Sequence, residues 1–284
     1  METFLPISQK YIDGILRDDS ALQALAELYF DAGLDKRPVP APAGRTNDIV
    51  WQYWGQGIEN APRLVQTCVN SVKEHCGRKH ILLDNKSIAN YVDIPLVILK
   101  KFRQNIIPPA HFADFIRLLL LEKHGGTWID ATVLMTGAAP KSFFASPLFW
   151  FSASPGMFRS PLICANWFIH ANGDNSFCSV LKDFLLEYWK RYDGLLHYFI
   201  FHLCVVCLQK CNDYCRDVIA QVPFYSNQPP EILQQELTRP FDAERFAEIC
   251  AMTPVHKLSY RLVKPEDEAT EGTLLRHVYE RYGN

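Results

Sequence analysis

The sequence has no excess of charge of one sign and no long hydrophobic run. Its 284 residues include 29 basic and 31 acidic side chains, which gives a net charge of −2. This balance offers no overall attraction to a polyanion, so we expect no nucleic-acid partner and look for any anion site locally. No stretch approaches the roughly 18 apolar residues that a membrane-spanning helix needs. The longest apolar stretch, residues 198–208, suits a buried helix.

The sequence also lacks the marks of a secreted domain held together by disulfides. Its nine cysteines are odd in number and spread over a long chain, and residues 1–6 contain neither the basic nor the apolar segment of a signal peptide. We therefore predict free thiols and a cytoplasmic location. Cys207, Cys211 and Cys215 share one face of a predicted helix, which cannot wrap tetrahedrally around zinc, so we expect them to pack as small apolar side chains.

The sequence does contain alternating strand and helix patterns. Residues 48–54 and 80–84 predict buried strands, and residues 62–76 predict the helix of a right-handed crossover between them. Further strands are predicted at residues 127–130, 133–135, 149–151 and 163–169, and further helices at residues 8–34, 87–91, 95–104, 111–124, 176–192 and 195–219. This alternation is typical of an α/β fold.

The most informative stretch is residues 113–132. Asp114 and Arg117 are three positions apart and share one face of the predicted helix. Four leucines and a double glycine follow, and the glycines are typical of a helix end and a tight turn into a strand. That strand stays apolar until Asp130 at its carboxyl end, where open α/β sheets bind ligands. We predict that these three side chains converge; an ordinary ion pair within the helix is the alternative for Asp114 and Arg117.

This motif resembles the donor site of glycosyltransferases with the GT-A fold. Over roughly residues 46–262 the chain resembles the capsular polysaccharide synthesis proteins, which are related to glycosyltransferase family 32. Further segments that resemble family landmarks are residues 49–57, 166–169, 187–190, 201–203, 226–227 and 256–258. The resemblance implies a Rossmann-like, mostly parallel sheet flanked by helices, with added N-terminal and C-terminal helices.

The resemblance and a stiff proline-rich stretch at residues 37–44 together suggest three parts. Residues 1–45 would form an N-terminal helical appendage and linker. Residues 46–262 would form the glycosyltransferase domain, and residues 263–284 a C-terminal helical tail.

The resemblance also implies roles for the three motif residues. Asp114 and Arg117 would hold hydroxyl groups of the donor sugar, and Arg117 would help to orient the β-phosphate, because a guanidinium suits bidentate anion contacts. Asp130 would be the first acid of an Asp-x-Asp motif that contacts ribose and metal. These three are the candidate catalytic residues.

Other residues are implied to bind the donor. Trp54 would stack on the nucleobase, with Trp51 close by, although core packing is the alternative for both tryptophans. Gln52 would bond to the edge of the base. Two later pairs would contact the phosphates, sugar or metal: Ser226 with Asn227, and His256 with Lys257. For the His-Lys pair the alternative is a solvated surface feature.

Thr132 departs from the common pattern, which has an acid at this position. Its hydroxyl is a poor replacement for a carboxylate in a divalent cation site. Two alternatives therefore stay open. Either Mg²⁺ or Mn²⁺ is held by Asp130, the diphosphate and water, with His256 as a further ligand, or cationic side chains take the place of the metal.

The resemblance implies a retaining transfer of a hexose from a nucleotide diphosphate sugar, with a UDP-sugar favoured, in capsular or other surface polysaccharide synthesis. The acceptor would be a lipid-linked glycan or oligosaccharide at the inner face of the cytoplasmic membrane. Peripheral membrane association would use the N-terminal residues Leu5, Ile12, Ile15 and Leu16; intramolecular packing is the favoured alternative for them. The rival function is a non-catalytic carbohydrate-binding or scaffold protein, which Thr132 keeps open.

Overall fold

The computed structural model describes residues 19–41, 47–152, 164–173 and 176–283, which divide into two compact units. The first unit draws its described residues from Met1–Asn47, Val92–Gly125 and Ser146–Ser226. The second draws them from Asp48–Tyr91, Gly126–Ala145 and Asn227–Asn284. No helix in these described ranges is long and apolar enough to cross a membrane.

The helices are α1 (Asp19–Asp31), α2 (Arg63–His75), α3 (Leu96–Arg103), α4 (Pro109–His124), α5 (Phe177–Arg191), α6 (Ile200–Cys211), α7 (Asp213–Ala220), α8 (Gln228–Glu236), α9 (Ala243–Met252), α10 (Pro265–Ala269) and α11 (Leu274–Tyr282). The strands are β1 (Ile49–Tyr53), β2 (Lys79–Leu83), β3 (Gly126–Ile129), β4 (Val133–Met135), β5 (Leu148–Phe151), β6 (Ala165–Ala171) and β7 (Val255–Lys257).

The second unit contains the predicted parallel strands. β1 pairs in parallel with β2, with Tyr53 opposite Leu83, and in parallel with β3, with Trp51 opposite Trp128. The crossover helix α2 turns one apolar face inward, since buried side chains recur at helical spacing from Leu64 to Val72. The α/β class, with parallel strands and flanking helices, is confirmed.

The C-terminal residues complete the core of the second unit. β7 pairs antiparallel with β4, with Lys257 opposite Val133. The last helix, α11, buries Leu275, Val278 and Tyr279 in one cluster with Leu64 of α2. The second unit therefore includes residues on both sides of the predicted boundary at residue 262, and the three-part division stays a prediction.

The first unit is built mainly from helices, with one antiparallel strand pair. β5 and β6 pair with Phe149 opposite His170. Helix α1 confirms the predicted helix 8–34 over residues 19–31; residues 8–18 lie outside the described residues. Its Leu25 and Tyr29 are buried, and the Tyr29 hydroxyl accepts a 2.9 Å hydrogen bond from Asn212.

One helix prediction in the first unit is wrong. Residues 195–219 form two helices rather than one, and the first of them begins at Ile200. The break lies at Asn212, which has an extended backbone and whose side chain accepts a hydrogen bond from the backbone N–H of Cys215. An N-cap asparagine starts a new helix because its side chain satisfies one of the free N–H groups of the first turn. Cys207 and Cys215 therefore lie on different helices.

The double glycine after α4 ends the helix as the sequence predicts. Gly125 and Gly126 have φ values of 69° and 97°, a region that side-chain-bearing residues rarely adopt. Gly125 donates its backbone N–H to the carbonyl of Leu121, which closes the last turn of the helix. The chain then enters β3 directly at Gly126.

Candidate functional site

The predicted site residues are shared between the two units. Asp114, Arg117 and Ser226 belong to the first unit, and the others belong to the second. The predicted convergence of Asp114 and Arg117 with Asp130 joins residues of different units and stays a prediction. Each unit nevertheless contains its own polar cluster around a carboxylate.

In the second unit, Asp130 follows directly after β3 at the carboxyl end of the parallel strands. Its Oδ2 lies 2.9 Å from the Lys257 ammonium, which also donates a 2.6 Å hydrogen bond to the Thr132 hydroxyl. About a quarter of each charged side chain is exposed, 24% for Asp130 and 25% for Lys257. The pair is therefore held by the fold yet open to solvent.

Backbone pairing explains how residues so far apart in sequence meet. Lys257 lies opposite Val133 in the β4–β7 ladder, and the backbone N–H of Leu258 donates to the carbonyl of Thr132. The ladder thus fixes the backbone of Lys257 beside the segment that carries Asp130 and Thr132. The two hydrogen bonds to Asp130 and Thr132 then position the side chain of Lys257.

Two buried side chains form hydrogen bonds with Asp130. The Trp128 indole N–H donates a 2.8 Å hydrogen bond to Asp130 Oδ1, and the Gln52 amide donates at 3.2 Å to the Asp130 backbone carbonyl. The other amide atom of Gln52 lies 2.8 Å from His80 Nε2. Gln52 is completely buried, so in this structure it presents no surface to a base. Its predicted base contact stays untested.

His80 is missing from the sequence predictions, although it is linked to Asp130 through Gln52. Burial, with a smaller contribution from nearby Lys73, lowers the pKa of His80 to about 4. The imidazole is therefore neutral near pH 7, and one of its ring nitrogens can accept while the other donates. A neutral His80 keeps Gln52 oriented without adding charge beside Asp130.

The two tryptophans at the end of β1 have different surroundings. Trp51 is 1% exposed and packs edge-on against Tyr91, which matches the core-packing alternative. Trp54 lies just beyond the strand, is only half-buried, and meets Tyr260 edge-on with ring centroids 5.7 Å apart. Of the two, Trp54 keeps ring surface available for a base.

His256 and Lys257 are separated by the alternation of side chains along a strand. His256 is fully buried, and its Nε2 lies 3.1 Å from the Thr136 hydroxyl. Burial lowers the pKa of His256 to about 4. In this structure, therefore, Lys257 joins the Asp130 cluster, whereas the side chain of His256 bonds to Thr136.

The chain passes from the first unit to the second between Ser226 and Asn227. Ser226 forms an isolated parallel backbone bridge with Ser152 inside the first unit. Asn227 immediately precedes α8 in the second unit, with no side-chain cap of that helix. Their predicted contacts with phosphate or sugar stay predictions.

In the first unit, Asp114 is the centre of a buried polar cluster. Its Oδ1 lies 2.7 Å from Arg117 and accepts a 2.9 Å hydrogen bond from the Asn166 amide on β6. Its Oδ2 lies 3.5 Å from Nδ1 of His111. Asp114 is 7% exposed and Arg117 3%. Buried ion pairs are weak stabilisers because both groups lose hydration, so their presence favours a functional reason.

Two histidines of the first unit have ring nitrogens without a hydrogen bond among the described residues. They are both nitrogens of His111, and Nδ1 of His202. Burial lowers the pKa of His202 to about 4, although nearby Asp114 acts in the opposite direction. Buried polar atoms are normally satisfied, so these nitrogens can accept from, or donate to, a bound polar molecule.

The residues of the second unit do not fit a divalent cation well. Mg²⁺ and Mn²⁺ prefer several oxygen ligands, but the Asp130 carboxylate and the Thr132 hydroxyl are both engaged by the Lys257 ammonium. No group of three or more His, Cys, Asp or Glu side chains within the described ranges could hold a metal ion. The positive side chain of Lys257 thus contacts both oxygen-bearing side chains of the motif.

The sequence did carry signals for some of the residues that the prediction missed. Asn166 lies in a segment that resembles a family landmark, and Trp128 lies inside the central motif. His111 precedes Asp114 by three positions and so shares its helix face. His80 had no such signal, because only the pairing of β1 with β2 brings it beside Gln52.

Comparison with known proteins gives a family match over most of the chain. A family model described as capsular polysaccharide synthesis protein matches residues 8–278. The O-glycosyltransferase PaGT of Phomopsis amygdali is 26% identical over an alignment of 181 residues, which covers 52% of this chain and 45% of that protein. The chain thus spans less than half the length of this curated relative.

Solved structures give weaker similarities. The apo form of the glycosyltransferase GlyE of Streptococcus pneumoniae TIGR4 is 14% identical, with a TM-score of 0.45, and the match covers 84% of this chain and 60% of that one. The PaToxG glycosyltransferase is 12% identical, with a TM-score of 0.37, over 73% of this chain and 90% of that one.

Proposed function

We propose that this chain, which belongs to the capsular polysaccharide synthesis protein family, is a glycosyltransferase that moves a hexose from a nucleotide diphosphate sugar to a glycan acceptor. A UDP-sugar is the favoured donor, and a lipid-linked or oligosaccharide glycan of a surface polysaccharide is the acceptor. The reaction would take place in the cytoplasm at the inner face of the membrane, with retention at the anomeric carbon.

The observation that carries this proposal is the Asp130–Lys257 pair at the carboxyl end of the parallel strands of the second unit. Ligands of open α/β sheets bind at this edge. Breaking the bond to a nucleoside diphosphate develops negative charge on the phosphates, and an ammonium that is already positioned stabilises such charge. Asp130 both orients that ammonium and offers a carboxylate to ribose hydroxyls.

The half-buried indole of Trp54 supports the nucleotide part of the proposal. It follows β1 directly, and β1 lies between β2 and β3 in the parallel arrangement. An aromatic face at the same strand edge as Asp130 is suited to stacking on a nucleobase. Tyr260 contacts Trp54 edge-on and restricts the orientation of the indole.

The buried cluster of the first unit supports the sugar part. Asp114, Arg117 and Asn166 supply both hydrogen-bond acceptors and hydrogen-bond donors. A hexose hydroxyl needs both, because it donates one hydrogen bond and accepts others. The ring nitrogens of His111 add polar atoms that make no hydrogen bond among the described residues. We assign this cluster to the sugar hydroxyls of the donor.

Retention requires no protein nucleophile if the acceptor attacks from the face that the diphosphate leaves. In that reaction the acceptor oxygen bonds to the anomeric carbon as the bond from that carbon to the β-phosphate oxygen breaks. The leaving phosphate takes the proton of the acceptor hydroxyl. The protein then binds, orients and excludes water, and Lys257 stabilises the leaving charge.

The test is the release of UDP or GDP from a panel of nucleotide hexoses, with and without a glycan acceptor. We expect one donor to be hydrolysed slowly by the wild-type chain. In Asp130→Ala and Arg117→Ala, we expect release to fall about a hundredfold or more, the size typical of removing a preorganised group from an active site. The matched control is Asp48→Asn, which should keep full activity, because the side chain of Asp48 is 82% exposed.

Two outcomes would reject the proposal. One is equal release by the wild type and Asp130→Ala, which would place the chemistry elsewhere or assign it to a contaminant. The other is glycan binding without release from any donor, which would favour the non-catalytic carbohydrate-binding protein. A separate measurement tests retention. The chain is given its productive donor with methanol as the acceptor, and NMR of the methyl glycoside shows whether its anomeric configuration is that of the donor.

A further inference from the structure

The ammonium of Lys257 contacts the side chains of both motif residues, Asp130 and Thr132. It contacts Asp130 Oδ2 at 2.9 Å and Thr132 Oγ1 at 2.6 Å. A lysine ammonium has three donors, so these two contacts leave one N–H for a ligand. The exposed quarter of the side chain provides the access.

The position of Lys257 is set by the backbone and not by the side chain alone. It is paired with Val133 in the β4–β7 ladder, and it is flanked by the buried residues His256 and Leu258. Neighbours that are fully buried cannot move without disturbing the core. The fold therefore fixes a positive charge beside Asp130, at the carboxyl end of β3.

The charges of the three residues explain why position 132 need not be an acid. With threonine there, one carboxylate and one ammonium balance each other. A second carboxylate at position 132 would leave a net negative charge beside Lys257, which suits a doubly charged metal ion. A hydroxyl accepts the lysine hydrogen bond without adding charge. Thr132 and Lys257 therefore form a matched pair.

We infer that Lys257 replaces the divalent metal ion of the donor site, so that the chain binds a nucleoside diphosphate without Mg²⁺ or Mn²⁺. This inference rests on the proposed function, because it assigns the Asp130 cluster to the diphosphate of the donor. The third ammonium hydrogen bonds to a phosphate oxygen, while Asp130 and Thr132 hold the other two. Asp130 therefore acts partly as a positioning residue for Lys257.

The first experiment measures binding of UDP and of GDP to the full chain by calorimetry, in EDTA and in excess Mn²⁺. We expect one of the two to bind, with affinities in the two conditions that differ by less than about threefold. Lys257→Met should weaken that binding about tenfold to a hundredfold, the equivalent of one hydrogen bond to a charged group. Lys79→Met, an exposed lysine of the same unit, should bind like the wild type.

A double variant tests the matched pair directly. Thr132→Asp combined with Lys257→Ala recreates two carboxylates with no ammonium between them. We expect its nucleotide binding to be weak in EDTA and to tighten about tenfold or more in Mn²⁺, because hard carboxylate oxygens favour that ion. Circular dichroism and thermal unfolding of each variant show that the fold is kept, and Lys257→Arg provides a conservative second variant.

The outcomes separate this inference from the proposed function. Wild-type binding or turnover that is lost in EDTA and restored by Mn²⁺ would overturn the inference and leave the transferase standing. Unchanged nucleotide affinity in Lys257→Met would also overturn it. Failure of both nucleotides to bind under every condition, together with no release from any donor, would overturn the proposed function and the inference with it.

Discussion

Each of the two units contains a carboxylate paired with a cation, but the pairs differ in sequence distance and in exposure. Asp114 and Arg117 are three positions apart on α4 and almost fully buried. Asp130 and Lys257 are 127 positions apart and about a quarter exposed. The local pair could be predicted from spacing alone, whereas the distant pair required the β4–β7 ladder. Their different burial should also separate effects on stability from effects on ligand binding.

The largest effect on stability is expected from breaking the buried pair. Asp114→Ala leaves the Arg117 guanidinium in the interior without its carboxylate, so the free energy of unfolding should fall by about 3–5 kcal/mol. Urea denaturation is the measurement. Lys257→Met, by contrast, should lower the unfolding free energy by less than about 1 kcal/mol, because its ion pair is partly exposed.

The matched control for Asp114→Ala is Asp93→Ala. Asp93 pairs with Lys123 in the same unit, but its side chain is 99% exposed, so we expect a change below about 1 kcal/mol. Equal losses in the two variants would show that burial does not govern the strength of these pairs. A larger loss in Lys257→Met than in Asp114→Ala would reverse the comparison.

A smaller effect is expected from pH, through two partly buried histidines. In the folded chain His202 and His80 have pKa values of about 4, below the usual 6.5. Between these two values the unfolded chain binds more protons, so stability is complete above about pH 6.5 and is lost as the pH falls towards 4. Each histidine contributes a slope of about 1.4 kcal/mol per pH unit in this window.

His202→Gln should flatten the pH dependence of the free energy of unfolding by about that slope. The measurement is urea denaturation at several values from pH 7.5 to pH 4.5. His80→Gln should act in the same direction in the second unit, where the hydrogen bond of His80 to Gln52 lies behind Asp130. Parallel curves for wild type and His202→Gln would contradict the assignment of a neutral His202.

The helix caps, one in each unit, are expected to have smaller effects than the buried pair and larger effects than the exposed ion pairs. Asp242 caps α9 by accepting from the N–H groups of Glu244 and Arg245, and Asp242→Ala should lower the free energy of unfolding by about 1 kcal/mol. Asn212 caps α7 and also bonds to the Tyr29 hydroxyl, so Asn212→Ala should have a larger effect, about 2 kcal/mol. Thermal unfolding that ranks them in the opposite order would contradict this reasoning.

Much of the fold could be predicted from local patterns. The apolar runs that became β1, β2 and β3, and the helix periodicity of α2 and α4, have bounds within a few residues of the prediction. The exception, residues 195–219, shows the limit of periodicity. Its apolar spacing continues across Asn212, and the helix break depends on the Asn212 side chain, which accepts a hydrogen bond from the Cys215 N–H and donates one to the Tyr29 hydroxyl.

The candidate site was less accessible to sequence reasoning. His256 and Lys257 are neighbours that were predicted to act together, yet strand alternation turns one towards Thr136 and the other towards Asp130. Gln52 carried a plausible pattern for base binding, but the structure buries its amide between His80 and the Asp130 carbonyl. The partners of these side chains do not follow from spacing, because they depend on which strands are neighbours.

The sequence by itself determined the α/β pattern, the face shared by Asp114 and Arg117, and the position of Asp130 at the end of an apolar strand. These features follow from the periods of helix and strand, which act over a few residues. Only the tertiary structure decided that Lys257 reaches Asp130 and Thr132, and that His80 and Gln52 support them from behind. Such contacts join residues far apart in the chain, and only backbone pairing between strands can bring them within hydrogen-bonding distance.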